Sequence, residues 1–83
     1  MNRIEQLEKV SRNGLAIKGF KKPSLEVQFA AVLQNGFAVE FIKNPIIAVQ
    51  LAAVRRNPGA IEKIAHPAQV VKLEAENLGY VYA

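Results

Sequence analysis

The apolar positions of this chain recur every 22 residues, in three gapless copies at 10–31, 32–53 and 54–75. Val10, Val32 and Val54 open the copies, and Asn13, Asn35 and Asn57 follow. Ile17, Val39 and Ile61 come next, then Phe20, Ile42 and Ile64, then Pro23, Pro45 and Pro67. Val27, Val49 and Val71, with Phe29, Leu51 and Leu73 two residues on and Ala31, Ala53 and Ala75 after them, close each copy. A fixed period of this length marks a stacked array, in which each unit buries its apolar face only against its neighbours.

The pattern predicts two helices per unit. In the middle copy a short helix covers 36–42, with Asn35 as its N-cap and Val39 and Ile42 as its inward pair. A longer helix covers 45–56. Pro45 suits its first position, where a missing N–H costs nothing, and Asn44 then becomes the cap. Lys22 and His66 hold that place in the other copies and cap less well. At about 100° per residue, Val27, Ala30 and Ala31 form a small-residue face, and Leu25, Phe29 and Val32 a bulky face opposite. Gln28 falls between the two. A helix with two apolar sides is expected between siblings, since one at an edge needs a single stripe.

The ends differ from the middle. Residues 1–9 predict an N-terminal capping helix with Ile4, Leu7 and Val10 inward. There Glu5, Glu8 and Lys9 replace the small-face residues Val27, Ala30 and Ala31. Glu74 and Glu76 replace Ala52 and Val54 at the far end, and residues 76–83 read as a C-terminal cap. Polar end faces are what a solenoid needs, so the array is expected to be capped within the chain. The expected fold is all-α: a single domain of 83 residues, a small α-solenoid of three helix-pair repeats behind a capping helix. Tyr80 and Tyr82 have two open placements, over the last repeat or between two molecules paired end to end as a homodimer.

Composition narrows the chemistry. The hydrophobic content of 51% offsets the small size. With no cysteine, a disulfide scaffold and a thiolate metal site are excluded, which fits a reducing cytoplasm. No apolar run is long enough to span a bilayer, and the start, MNRIEQLEKV, has no apolar core for a signal peptide. A cytoplasmic protein with no membrane partner is therefore expected. Eleven basic against 7 acidic residues give a net charge of +4, which raises nucleic acid or an acidic protein as partner.

Catalytic machinery is not legible. Ser11 and Ser24 are the serines, His66 is the single histidine, and aspartate is absent. The glutamates follow surface and cap positions rather than facing each other across a cleft. His66 has no ligand partner at metal spacing, and the Asn-Gly dipeptides are not a phosphate loop. The expectation is a non-enzymatic protein with no metal and no cofactor.

Binding residues remain. Phe41, Ile46 and Ile47, with Lys21 and Lys43 at one edge, form the candidate protein-binding set. Phe37 shares the short helix with Phe41; one of the two is expected in the core and the other on the surface. The alternative is nucleic-acid binding by Arg12, Lys18, Lys21, Lys22, Lys43, Arg55 and Arg56, with Arg12, Gln34 and Arg56 along one ridge. Glu40 and Glu62 interrupt the stripe that Lys18 begins. Plainer roles compete: solvated loop lysines, arginines favourably placed at helix C-termini, and isoleucines packed on Phe41. The repeated asparagines read as caps that also bond neighbouring backbone.

Residues 34–45, QNGFAVEFIKNP, followed by AVQLAAV at 48–54, resemble short two-helix tandem repeats of bacteriophage and large-DNA-virus proteins, repeats of unknown function. The resemblance covers about residues 10–75 and implies a HEAT-like helical array from a phage or prophage source. A small phage-type protein of this kind would bind and modulate or inhibit a host protein complex in the host cytoplasm. The family supplies no catalytic residue. The third copy departs from the pattern at Pro58, Gly59 and Lys63, where its short helix is least well specified.

Overall fold

A computed structural model describes residues 1–81, and among them every element is a helix. Four α-helices alternate with three short 3₁₀ helices: α1 (Arg3–Arg12), η1 (Gly14–Gly19), α2 (Leu25–Gln34), η2 (Gly36–Phe41), α3 (Ile47–Arg56), η3 (Pro58–Lys63) and α4 (Gln69–Asn77). The α-helices pack in chain order as one layer, and the 3₁₀ helices pack in chain order as a second. Each 3₁₀ helix also contacts the α-helix before it and the one after it. The result is a two-layer α-solenoid with principal extents of 38 × 21 × 18 Å.

The 22-residue period becomes a column of buried side chains between the layers. Val27, Val49 and Val71 are fully buried, as are Val10, Val32 and Val54 and Ala31, Ala53 and Ala75. Ile17, Val39 and Ile61 close the column from the 3₁₀ layer. Burying each such valine or isoleucine contributes roughly 1.5–3 kcal/mol. The expected wedging between siblings is present for α2 and α3, which pack against an α-helix on either side, whereas α1 and α4 end the layer.

The short helices wind as 3₁₀ rather than α. In a 3₁₀ helix residues three apart eclipse one another. Gly36, Val39 and Ile42 therefore form one buried row, as do Gly14 and Ile17 with half-buried Phe20. Ala38 is buried beside this row, and the two phenylalanines are not, which corrects the expectation that one of them is core. Phe37 and Phe41, four apart, lie off the buried row, and both are exposed, at 37% and 40%.

Consecutive units are stitched through these short helices. The N–H of Gly14 donates to Gln34 Oε1 of the next unit at 2.6 Å, and that of Gly36 donates to Asn57 Oδ1 at 2.8 Å. Asn13 and Asn35 cap their own 3₁₀ helices, accepting from the N–H groups of Leu15 and Phe37 at 3.1 and 3.0 Å. Asn57 makes no such local bond, because its oxygen is turned back to Gly36. Arg56 likewise reaches back one helix, its Nε donating to the Leu33 carbonyl at 3.0 Å.

The long helices begin two residues later than the proline rule predicts. Their N-caps are Ser24, Ile46 and Ala68, not Lys22, Asn44 and His66. Ser24 Oγ accepts from the Val27 N–H at 3.3 Å; Ile46 and Ala68 offer no cap. In the first two units the reason lies just upstream. Lys22 and Asn44 adopt left-handed backbone, with φ of 47° and 52°, so the chain turns there before it can enter a helix. Pro23 and Pro45 follow the turn, and their carbonyls accept from the side chains of Gln28 and Gln50 at 3.0 and 2.9 Å.

Two positions expected to face inward face solvent instead. Leu25, placed on the bulky inner face, is 49% exposed, and Ile4, placed inward, is 65% exposed. Leu25 shares its repeat position with Arg3 and Gln69, and Ile4 shares its own with Glu26. These columns point to solvent in every unit. The capping helix also continues past residue 9 to Arg12. It starts with a capping box, in which Asn2 Oδ1 accepts from the Glu5 N–H at 2.8 Å and Glu5 Oε1 accepts from the Asn2 N–H at 3.5 Å. At the other end Tyr80 packs against the core, beside Gly59. Tyr82 lies outside the described residues.

Candidate functional site

An α-helix of ten residues separates the two edges of the stack by about 15 Å. One edge holds the turns from each α-helix into the following 3₁₀ helix. The other holds the loops from each 3₁₀ helix into the next α-helix. This division splits the basic residues. Arg12, Arg55 and Arg56 lie at the first edge, and Lys21, Lys22 and Lys43 at the second. Arg56 bonds the Leu33 carbonyl, and Arg55 pairs with Glu74 at 3.0 Å. Arg12, Gln34 and Arg56, expected along one ridge, are the last residues of α1, α2 and α3, and Gln34 and Arg56 are used in stitching units together. Six of the seven cations of the nucleic-acid set are therefore divided between two edges, and Lys18 lies in η1.

The second edge carries two hollows in series. The first, of about 400 Å³, lies between the loops of the first and second units. The second, of about 440 Å³, lies between the loops of the second and third. They are the same site one period apart. On one wall Phe20, Lys22, Pro23 and Gln28 of the first become Ile42, Asn44, Pro45 and Gln50 of the second. On the other, Phe41, Ile42, Lys43 and Asn44 become Lys63, Ile64, Ala65 and His66. Ile42, Lys43 and Asn44 border both, so the middle loop is a shared partition.

The hollows form because each loop leaves the 3₁₀ helix, turns, and holds its proline clear of the next α-helix. Gln50 fixes that geometry. It is 7% exposed, and its amide spans two loops: Nε2 donates to the Pro45 carbonyl and Oε1 accepts from the Ala68 N–H at 3.1 Å. Both ends of the side chain are satisfied, so Gln50 is a strut and not a free ligand. Gln28 repeats the first bond one unit earlier.

The linings differ in charge. The first hollow has Lys22 and Lys43 and no acid. Its apolar floor includes Phe20, Pro23 and Phe41. Lys18 Nζ lies 6.0 Å from the Phe41 ring centroid, a cation–π contact between neighbouring units. The second hollow has Lys43, Lys63 and His66 with Glu40 among them. Both sites join apolar walls to a basic rim, the combination that receives an apolar segment carrying carboxylates.

Of the protein-binding candidates, Phe41 and Lys43 thus meet in one site. Ile46 and Ile47 line neither hollow; they follow directly on Pro45 and are 48% and 49% exposed. Lys21 is exposed beside Lys22 and also lines neither. Lys22 and Lys63 were not in the protein-binding set. A signal for Lys63 was available in the period, because it sits one unit from Phe41, whereas Lys22 sits one unit from Asn44, which was read only as a cap.

Among the described residues no group of three or more metal-ligating side chains occurs, and no helix is long and apolar enough to cross a membrane. Comparison with protein-family models, with curated proteins and with solved structures gives no match.

Proposed function

We propose that this protein is a non-catalytic protein-interaction module that binds an acidic, partly apolar segment of a partner protein along its loop edge. The observation that carries the reading is the repetition of one hollow at the 22-residue period, each copy with apolar walls and lysines on its rim, although the lysines stand at different repeat positions. A stack that repeats a concavity offers an extended chain more than one foothold, which is how solenoids use their frames. The resemblance of residues 10–75 to repeats of phage and large-DNA-virus proteins supports a host protein complex, in the host cytoplasm, as the target that is modulated or inhibited.

Nucleic acid is the second reading, and two observations weigh against it. The basic residues divide between edges about 15 Å apart, and Glu40 stands on the rim of the second hollow. A direct test titrates the protein with a fluorescent peptide rich in glutamate and leucine, and separately with single-stranded DNA of equal charge. The peptide is expected to bind and the Lys43→Glu variant to lose it. Binding of the DNA alone, with a steep fall on adding salt, would establish the other reading.

A further inference from the structure

One face of the stack is left uncovered. The α-helices pack sideways on one another and inward on the 3₁₀ layer, so the exposed sides of α2 and α3 face outward. Three repeat positions are exposed in all four α-helices, those of Leu25, Glu26 and Leu33. A solvent face is ordinarily polar, yet these columns are rich in large apolar residues. Ile4 on α1, Leu25 and Leu33 on α2, Ile47 on α3 and Val70 on α4 are all exposed, Leu33 at 59%. On α2, Leu25 and Leu33 run in one line with half-buried Phe29, at a spacing of four residues.

The charges in these columns are paired within the chain. Arg3 Nε lies 3.4 Å from Glu26 Oε1, and Arg55 Nε lies 3.0 Å from Glu74 Oε2. No lysine occupies any of the three columns. The basic excess of the molecule therefore lies elsewhere, and this face is apolar and neutral. A partner selected by charge, an anionic lipid surface included, finds little there to pair with. A copy of the same face matches it on both counts. The size also suits a second copy. Four α-helices side by side at about 8–10 Å account for the longest extent of the molecule, 38 Å. A ten-residue helix gives the other dimension, about 15 Å. The face is thus about 570 Å² in plane, and two of them about 1,100 Å², above the roughly 1,000 Å² that a specific interface needs.

We propose that the outer face of the α layer joins two copies of this chain in an isologous dimer. No residue of the three columns lines either hollow, so the dimer leaves both loop edges open and does not depend on what binds there. The contact is also distinct from the end of the stack, where Tyr80 packs against the core.

Sedimentation equilibrium of the full chain, from low to high micromolar concentration, is the test. The mass is expected to rise from one chain of 9.1 kDa to two, because interfaces at the small end of the range bind weakly. Leu33→Glu and Ile47→Glu each put an unpaired carboxylate on the face of both copies. Each is expected to raise the dissociation constant by about tenfold or more, with helical circular dichroism unchanged. Val81→Glu, at an exposed position near the C-terminus, is expected to leave the dimer intact. A single chain at every concentration would overturn the proposal. So would a dimer lost in Val81→Glu but kept in Leu33→Glu and Ile47→Glu, which is pairing end to end. Uptake onto neutral phosphatidylcholine vesicles without dimerisation would overturn it in favour of a lipid surface.

Discussion

Asn57 Oδ1 accepts the backbone N–H of Gly36 at 2.8 Å, across 21 residues and from one repeat into the one before it. Gly36 is buried, so this bond satisfies a donor that water does not reach. Asn57→Ala should therefore cost about 1–3 kcal/mol, more than the loss of an ordinary cap. Asn35→Ala removes only a local bond to Phe37 and should cost about 1 kcal/mol. Urea unfolding of both variants measures the difference; equal losses would mean that the stitch between units carries no special weight.

The same junction explains the glycine. A Cβ on Gly36 would fall against the Ala53 carbonyl oxygen, with Asn57 Oδ1 at 2.9 Å, and Gly14 meets Ala31 and Gln34 in the same way. Gly36→Ala must spread two units and should destabilise by about 2 kcal/mol or more, as overpacking does. Gly19 has nothing within 4 Å of such a Cβ, so Gly19→Ala should be neutral or stabilising by about 0.4–1 kcal/mol. Thermal denaturation of the pair checks this. In the third unit the position is Pro58, which has no N–H to place, so that junction cannot be stitched as the first two are.

Gln50 should matter more than Gln28. Gln50→Leu leaves the Ala68 N–H without its acceptor and the Pro45 carbonyl without its donor, for an expected loss of about 2–4 kcal/mol. Gln28→Leu breaks one bond, to Pro23, and should cost about 1 kcal/mol. Hydrogen exchange would also report faster opening at the start of α4 in Gln50→Leu alone.

Lys22 sets stability against binding. Replacing it by asparagine, as at position 44, relieves left-handed strain and should stabilise the fold by about 0.5–1 kcal/mol. The same Lys22→Asn change removes a rim charge from the first hollow and should weaken an acidic peptide several-fold. A variant that is both more stable and a better binder would contradict the role given to Lys22.

The fold was largely legible because a gapless period exposes the core directly: residues such as Val27, Val49 and Val71 repeat for the single reason that each is inside. The errors came from reading one copy rather than the column. Leu25 looked internal by itself, but Arg3 and Gln69 at its position mark that column as solvent-facing. Pro45 looked like a helix start because the left-handed turn at Asn44 is a backbone fact that propensity does not reveal. Phe37 and Phe41 were misjudged because their size suggested a core role, whereas the inner positions of η2 are filled by Gly36, Ala38 and Val39, with Ile42 just after it. The candidate site was only half legible. Phe41 and Lys43 stand out by residue type, whereas Lys63 and the Gln50 strut acquire meaning only when adjacent loops are brought side by side.

Backbone amide mapping by NMR, during titration with a peptide rich in glutamate and leucine, tests the central claim most directly. Shifts are expected at Lys22, Ile42, Lys43, Asn44 and Lys63 along the loop edge, with Arg12, Arg55 and Arg56 unmoved. Shifts concentrated at the arginine edge, or none at the shared loop of Ile42 to Asn44, would contradict it.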